Sequence, residues 1–86
     1  MVLVDRPLWH KDGERWSHLI SNSSLDELHN FAQTLGVPRK AFQGDHYDIP
    51  ERLLPQALAQ GASLVDARDL LRQLKAAGLR RTPSSS

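Results

Sequence analysis

The apolar residues of this chain occur in two kinds of spacing, one typical of strands and one typical of helices. An apolar and β-branched run over residues 2–4 ends at the carboxylate of Asp5, and residues 15–20 alternate between apolar and polar side chains. Both patterns predict β-strands, and residues 62–65 predict a third. Because successive strand residues point to opposite sides, three side chains of the second strand should share one face: Trp16, His18 and Ile20.

Helices are predicted where apolar residues recur every three to four positions. Ser24 and Glu27 form a capping box, which marks the start of a helix, and Gly36 suits its left-handed end. The apolar stripe between them consists of Leu25, Leu28, Ala32 and Leu35. A final helix is predicted from its N-cap Asp66 to about Ala77. Its inward residues are Leu70, Leu71 and Leu74.

Two segments between these elements are rich in turn-forming and charged residues. Residues 7–14 carry proline, glycine and several charges, which predicts a loop. Residues 44–50 place two aspartates, a histidine and a tyrosine between a glycine and a proline, which predicts a second loop. Asp48 then has the character of an N-cap for a short helix, which Pro55 divides into two pieces.

Alternating strands and helices favour an α/β fold. We expect residues 1–79 to form a single domain, a small open sheet of about three to four mostly parallel strands with about three helices. Residues 80–86 should form a disordered, basic and serine-rich tail. In open α/β sheets, ligands collect beyond the carboxyl ends of the strands. Three polar residues are expected at those ends: Asp5, Asn22 and Asp66. The 44–50 loop is expected to lie beside them.

Composition narrows the class of protein. The chain has 86 residues, no cysteine and a formal net charge of +1. At this length roughly 60–65% of the unfolded surface is buried on folding, so the core is thin and a homodimer would add burial. The lack of cysteine suits a reducing cytoplasm. The sequence shows neither a signal peptide nor an apolar run of about 20 residues for a membrane, and its charge is not that of a dedicated nucleic-acid binder.

The ionisable residues near the predicted strand ends favour a metal site. Imidazole and carboxylate groups together suit zinc, manganese or iron. Alternation places His46 and Asp48 on one side of an extended segment. His18 is the candidate third ligand, and Asp5 completes the shell or positions water. In the alternative interpretation, Asp48 only caps a helix and His46 only bonds to the backbone.

Two hypotheses about function follow. In the first, a metal held by the three candidate ligands hydrolyses a phosphoester or nucleic-acid substrate, and Trp16 and Tyr47 bind that substrate. The candidate catalytic residues are then Asp5, His18, His46 and Asp48. In the second, the protein is a non-catalytic binding module, in which Trp16 and Tyr47 form a recognition surface for a protein or a nucleic acid.

A basic stripe is predicted on the final helix. Arg68, Arg72 and Lys75 recur at helical spacing. They offer a contact for nucleic-acid phosphates, or else a solvated face whose cations are favourable near the carboxyl end of a helix. The sequence contains no glycine-rich phosphate loop, so no nucleotide cofactor is expected.

Five motifs give the chain a family resemblance: VLVD at 2–5, WSHL at 16–19, LDELHNFA at 25–32, GVP at 36–38 and GDHYDIP at 44–50. Together they resemble a family of short bacterial and phage proteins known as domain of unknown function 4031. The resemblance covers nearly all of the chain up to the serine tail. It implies a recurring, stand-alone intracellular unit, and it implies no activity that could be carried over. The motif residues to test are Asp5, Trp16, His18, His29, His46, Tyr47 and Asp48.

Overall fold

A computed structural model describes residues 1–80. Within them, five strands and three α-helices form one small α/β domain. The strands are β1 (Val2–Asp5), β2 (Trp9–Lys11), β3 (Glu14–Ser21), β4 (Tyr47–Pro50) and β5 (Ser63–Val65). The helices are α1 (Leu25–Leu35), α2 (Leu54–Ala59) and α3 (Ala67–Ala76). None of these helices has the length and apolarity needed to cross a lipid bilayer. The predicted tail lies outside the described residues, except for Arg80.

The central strand of the sheet is β3. Leu19 pairs with Val4 on one side and with Tyr47 on the other, so β1 and β4 lie on opposite sides of β3. Trp16 pairs with β2 and β4 in the same way, which places β2 on the β1 side. β5 pairs with the outer edge of β1. The order across the sheet is therefore β4, β3, β1 and β5. β2 lies on the same side of β3 as β1 and pairs with the first half of β3, whereas β1 pairs with its second half.

The prediction of a mostly parallel sheet is wrong. Among the described strands, three of the four pairings are antiparallel, and β1 with β5 is the parallel one. A parallel connection needs a crossover of roughly a dozen residues or more, usually containing a helix. Residues 6–13 connect β1 to β3 and are too few for one. Because β3 runs antiparallel to β1, Asn22 lies at the opposite end of the strands from Asp5. There the N–H of Asn22 donates to the Met1 carbonyl at 3.0 Å.

Both predicted loops contain a strand. β2 and β3 form a hairpin whose two turn residues, Asp12 (φ 56°) and Gly13 (φ 76°), have the left-handed backbone of a type I′ turn. In the second segment, residues 47–50 form β4 because Tyr47 and Ile49 are buried in the core. Asp48 is therefore a strand residue and not the N-cap of a helix, and α2 begins after a 3₁₀ turn over Glu51–Leu53.

The ends of α1 are where the sequence predicts them. The Ser24 hydroxyl accepts a hydrogen bond from the N–H of Glu27 at 3.1 Å, and Gly36 adopts a left-handed φ of 91° at the other end. The Glu27 carboxylate does not return to the N–H of Ser24 as a capping box requires. It accepts from the Ser21 hydroxyl at 2.5 Å, and that hydroxyl accepts the N–H of Ser24 at 3.1 Å.

The sheet carries apolar cores on both faces. The larger core joins one face to α1 and α2, and its members include Val4, Leu19, Leu28, Tyr47, Ile49 and Ala57. The smaller core joins the other face to α3 and consists of Leu3, Ile20, Leu70 and Leu74. On this second face, the strand residues next to the smaller core are polar and aromatic, and they form the candidate site.

Candidate metal centre

The pairing of β3 with β4 brings the candidate ligands to one face of the sheet. His18 lies directly opposite Asp48 in this antiparallel pair, so their side chains project on the same side. His46 precedes Asp48 by two residues and joins it on that side. The ring centroids of His18 and His46 are 5.3 Å apart, in an edge-to-face arrangement. The fold thus produces the convergence that the sequence pattern alone does not establish.

His18 is held by the carboxylate at the end of β1. Its ring Nδ1 lies 2.7 Å from Asp5 Oδ2, and its backbone N–H donates to Asp5 Oδ1 at 2.6 Å. Asp5 is only 2% exposed. An ionised carboxylate can only accept hydrogen bonds, so Nδ1 must carry the hydrogen. This leaves Nε2 of His18 as the nitrogen that can bind a metal or a proton.

His46 is held in the same way by its own neighbour in the chain. Its Nδ1 lies 2.6 Å from Asp45 Oδ1, and Asp45 is 4% exposed. The Nε2 atom of His46 is therefore also left for a metal or a proton. Histidines that bind metals in proteins almost always donate their other ring N–H to a carboxylate, a carbonyl or water, because this contact fixes the tautomer and orients the ring. Two such carboxylate–histidine pairs meet here.

Asp48 completes the group. Its Oδ1 lies 3.3 Å from His46 Nε2, close enough for an ion pair when the ring is protonated, and this buried oxygen has no other partner among the described residues. One ligand atom from each of His18, His46 and Asp48 can be chosen so that all three lie within 4.8 Å of one another. The predicted ligand set is therefore brought together by the fold.

A proton or a metal ion could lie between His46 and Asp48. When the ring of His46 is neutral, its Nε2 carries a lone pair, because Nδ1 holds the hydrogen. That lone pair then faces a carboxylate oxygen at 3.3 Å, and two acceptors at this distance repel each other unless a positive charge lies on or between them. A proton on the ring can supply that charge at low pH, and a divalent metal can supply it once the proton has left.

The spacing of the group could accommodate a metal ion such as zinc. Tetrahedral zinc holds nitrogen and oxygen ligands at about 2.0–2.2 Å, which puts neighbouring ligand atoms about 3.3–3.6 Å apart. His46 Nε2 and Asp48 Oδ1 already have this spacing, at 3.3 Å. The group within 4.8 Å must contract by only about 1.5 Å to bring His18 to the same ion. Two imidazoles and one carboxylate would fill three of the four tetrahedral coordination positions and leave the fourth for water or substrate, as in catalytic zinc sites.

Residues 2–77 match a family model described as "Protein of unknown function (DUF4031)". This chain belongs to the DUF4031 family. The matched segment contains all five described strands, all three helices and the whole candidate centre. Neither the curated proteins nor the solved structures include a detectable match to the chain. The family assignment confirms the resemblance but supplies no activity, so function in this DUF4031 chain has to be argued from the site itself.

The two predicted substrate-binding residues lie on different faces of the sheet. Trp16 is on the face of His18, and its indole N–H donates to the Lys11 carbonyl at 3.0 Å. Tyr47 is 1% exposed in the larger core, and its hydroxyl lies 2.8 Å from His29 Nδ1. Because β4 residues alternate, Tyr47 points away from Asp48. Tyr47 therefore lies outside the group of His18, His46 and Asp48, and a role for it in substrate binding or recognition stays a prediction.

Sequence reasoning assigned no functional role to Trp9, which also contacts the centre. Its indole lies 5.7 Å from the His18 ring and stacks on Trp16 at 6.0 Å between centroids. Trp9 reaches this position through the β2–β3 hairpin. The Asp12-Gly13 pair is a strong hairpin signal and would have revealed it, since a two-residue turn places Trp9 opposite Trp16.

The basic residues of α3 face solvent. Arg68, Arg72 and Lys75 are exposed, and Arg72 forms an ion pair with Asp69 one helical turn earlier. This pairing offsets part of the positive charge that a nucleic-acid backbone would meet. A nucleic-acid contact at this stripe stays a prediction.

The carboxylates around the centre favour the charged form of both histidines. The hydrogen bond to Asp5 raises the pKa of His18, and the charges of Asp5 and Asp48 add to this, while burial and the neighbouring His46 oppose it. For His46, Asp48 and then Asp45 raise the pKa against the effect of burial. In the absence of metal, both rings therefore keep a proton to higher pH than a free histidine does.

These pKa shifts predict opposite pH dependences with and without metal. A raised histidine pKa contributes stability that is fully present below the unfolded pKa of 6.5 and is lost as the pH rises through the folded value. We therefore expect the melting temperature of the metal-free protein to fall as the pH rises above about 6.5. Zinc affinity should rise over the same range, because zinc must displace the protons.

Thermal melts and zinc titrations across this pH range test that prediction. Calorimetry in buffers of different ionisation enthalpy would count the protons released on binding. The interpretation fails if the metal-free protein becomes more stable as the pH rises above 6.5, or if zinc affinity does not change with pH.

Proposed function

We propose that this protein binds a divalent transition metal, with zinc as the first candidate and manganese or iron as alternatives, and uses it to hydrolyse phosphoesters. The proposed ligands are Nε2 of His18, Nε2 of His46 and the carboxylate of Asp48. Asp5 and Asp45 hold the two imidazoles in the tautomer that binds metal. One observation carries the proposal: a ligand atom from each of His18, His46 and Asp48 lies within 4.8 Å of the others, and the buried Asp48 oxygen faces His46 Nε2 at 3.3 Å with no other partner among the described residues.

The proposed chemistry follows from the open position of the ligand set. A divalent ion held there would lower the pKa of a water molecule and polarise a phosphoryl oxygen. In the overall reaction, the water oxygen bonds to phosphorus, the ester P–O bond breaks and the leaving oxygen takes up a proton, giving an alcohol and a phosphate. The buried carboxylates of Asp5 and Asp45 keep both rings oriented throughout.

Hydrolysis of p-nitrophenyl phosphate and bis(p-nitrophenyl) phosphate tests the proposal. We expect the untagged protein, loaded with zinc, manganese or iron, to release p-nitrophenol from at least one of them. Asp48→Asn should lower the rate by about 100-fold or more, since loss of a direct ligand should exceed the 10–100-fold typical of outer-shell changes. The matched control is Asp12→Asn, which changes an exposed carboxylate in the β2–β3 turn.

Two results would contradict hydrolysis at this centre. One is the absence of turnover of either substrate by protein that demonstrably holds each metal. The other is a rate for Asp48→Asn equal to that of Asp12→Asn, because turnover would then arise elsewhere.

A further inference from the structure

We infer that the substrate is a small phosphate monoester whose phosphate contacts Arg80 and whose apolar group lies against α3. The inference rests on the proposed metal site, because the phosphate has to reach a metal held by His18 and His46. It is drawn from a cavity of about 220 Å³ that both histidines line.

The size of this cavity limits the substrate. Pockets for drug-sized ligands span roughly 300–1,000 Å³, and a cavity of about 220 Å³ falls below that range. A terminal phosphate joined to a small group fits within it. An internal phosphodiester of a duplex would extend beyond it on both sides of the phosphate, so it fits the cavity less well.

One wall of the cavity is apolar. It is formed largely by α3, through Ala67, Leu70, Leu71 and Leu74. Leu70 and Leu74 are buried in the smaller core, while Leu71 is partly exposed. When an apolar ligand group covers apolar surface that faces water in a cavity, the free energy of binding becomes more favourable. The substrate should therefore carry such a group beside its phosphate.

The charge of the cavity depends on Arg80. Among the described residues that line it, Arg80 is the only arginine or lysine. Its guanidinium lies 3.7 Å from Asp45 Oδ2, which is longer than the roughly 2.7–2.9 Å of a charge-assisted hydrogen bond. Asp45 thus holds Arg80 near the centre while most of its five N–H donors stay available to a phosphate.

The charges of the centre indicate how Arg80 would help a phosphate to bind. The centre contains the carboxylates of Asp5, Asp45 and Asp48. A bound divalent ion would offset two of these charges, and Arg80 adds a positive charge beside Asp45. Removing Arg80 would therefore weaken the attraction of the centre for an anion.

Binding of two phosphonates to the zinc-loaded protein tests the inference. Phenylphosphonate and methylphosphonate share an anionic head that cannot be hydrolysed, and they differ in apolar area. We expect wild type to bind phenylphosphonate about tenfold more tightly. Arg80→Gln should weaken both by about tenfold or more, and Leu71→Ala should reduce the advantage of the phenyl group. Arg80 is exposed and Leu71 is partly exposed, so neither change removes a buried side chain.

Arg72→Gln is the matched control, because it removes a charge from α3 at an exposed position that does not line the cavity. Zinc affinity is measured separately for each protein. Zinc binding with equal phosphonate affinities in wild type and Arg80→Gln would overturn the inference and leave the metal site standing. Equal affinity of wild type for the two phosphonates would overturn the apolar part. Failure of wild type to bind zinc would overturn the proposed function and this inference with it.

Discussion

Replacing His46 with alanine is expected to weaken zinc binding by more than about 100-fold. Outer-shell partners of zinc ligands typically contribute 10–100-fold in affinity, and His46 is proposed as a direct ligand. The change also removes the hydrogen bond from His46 Nδ1 to Asp45, so a buried carboxylate loses one of its contacts. His18→Ala should have an effect of similar size, since the proposal gives the two rings equivalent roles. Isothermal titration calorimetry on untagged protein measures both.

His10→Ala provides the control for these variants. His10 is an exposed residue of β2, and its loss should leave zinc affinity unchanged. Near-equal zinc affinity of His46→Ala and His10→Ala would place the ion outside the centre. Circular dichroism of each variant shows whether the fold is retained. Both proposed ligand histidines are partly exposed, so neither change removes a fully buried side chain.

The second large effect is expected from a residue that does not touch the metal. Asp5→Asn should reduce zinc affinity by about 10–100-fold, although it changes a carboxylate into an amide of the same shape. The backbone N–H of His18 donates to Asp5 Oδ1, so the asparagine oxygen takes that position and its NH₂ faces the ring Nδ1. A donor at this place requires Nδ1 to accept, which moves the ring hydrogen to Nε2 and blocks the metal-binding nitrogen.

Asp12→Asn serves as the matched control for Asp5→Asn, because it makes the same chemical change at an exposed turn. NMR of the histidine ring nitrogens gives a readout that a merely structural role of Asp5 would not move. It should show the hydrogen of His18 on Nδ1 in metal-free wild type at high pH and on Nε2 in Asp5→Asn. Unchanged zinc affinity together with an unchanged tautomer would show that Asp5 does not orient His18.

Features set by neighbouring residues were predictable from the sequence. The N-cap at Ser24 and the left-handed end at Gly36 both appear in α1, because capping is a contact between residues three or four positions apart. The shared face of Trp16 and His18 followed from strand alternation and is confirmed by their common contact with Trp9. The proposed ligand set was named from residue chemistry, and the fold brings it together.

Features set by distant partners were not predictable. The segment 47–50 has the proline and acidic residues of a helix start, yet it forms β4. Burial of the Tyr47 and Ile49 side chains in the core beside β3 stabilises the strand more than helix capping would stabilise a helix. Strand direction was wrong because it depends on which segments pair. Arg80 was assigned to a tail, and its place at the cavity follows from the packing of α3 on the sheet. Pairing and packing of this kind leave little local signal.

The measurement that tests the central claim most directly is an anomalous difference map at the zinc absorption edge, from crystals of untagged protein grown with one equivalent of zinc. The proposed centre predicts one strong peak, about 2.0–2.2 Å from Nε2 of His18, Nε2 of His46 and a carboxylate oxygen of Asp48. Zinc that binds elsewhere, or density at this place that contacts neither histidine, would contradict it.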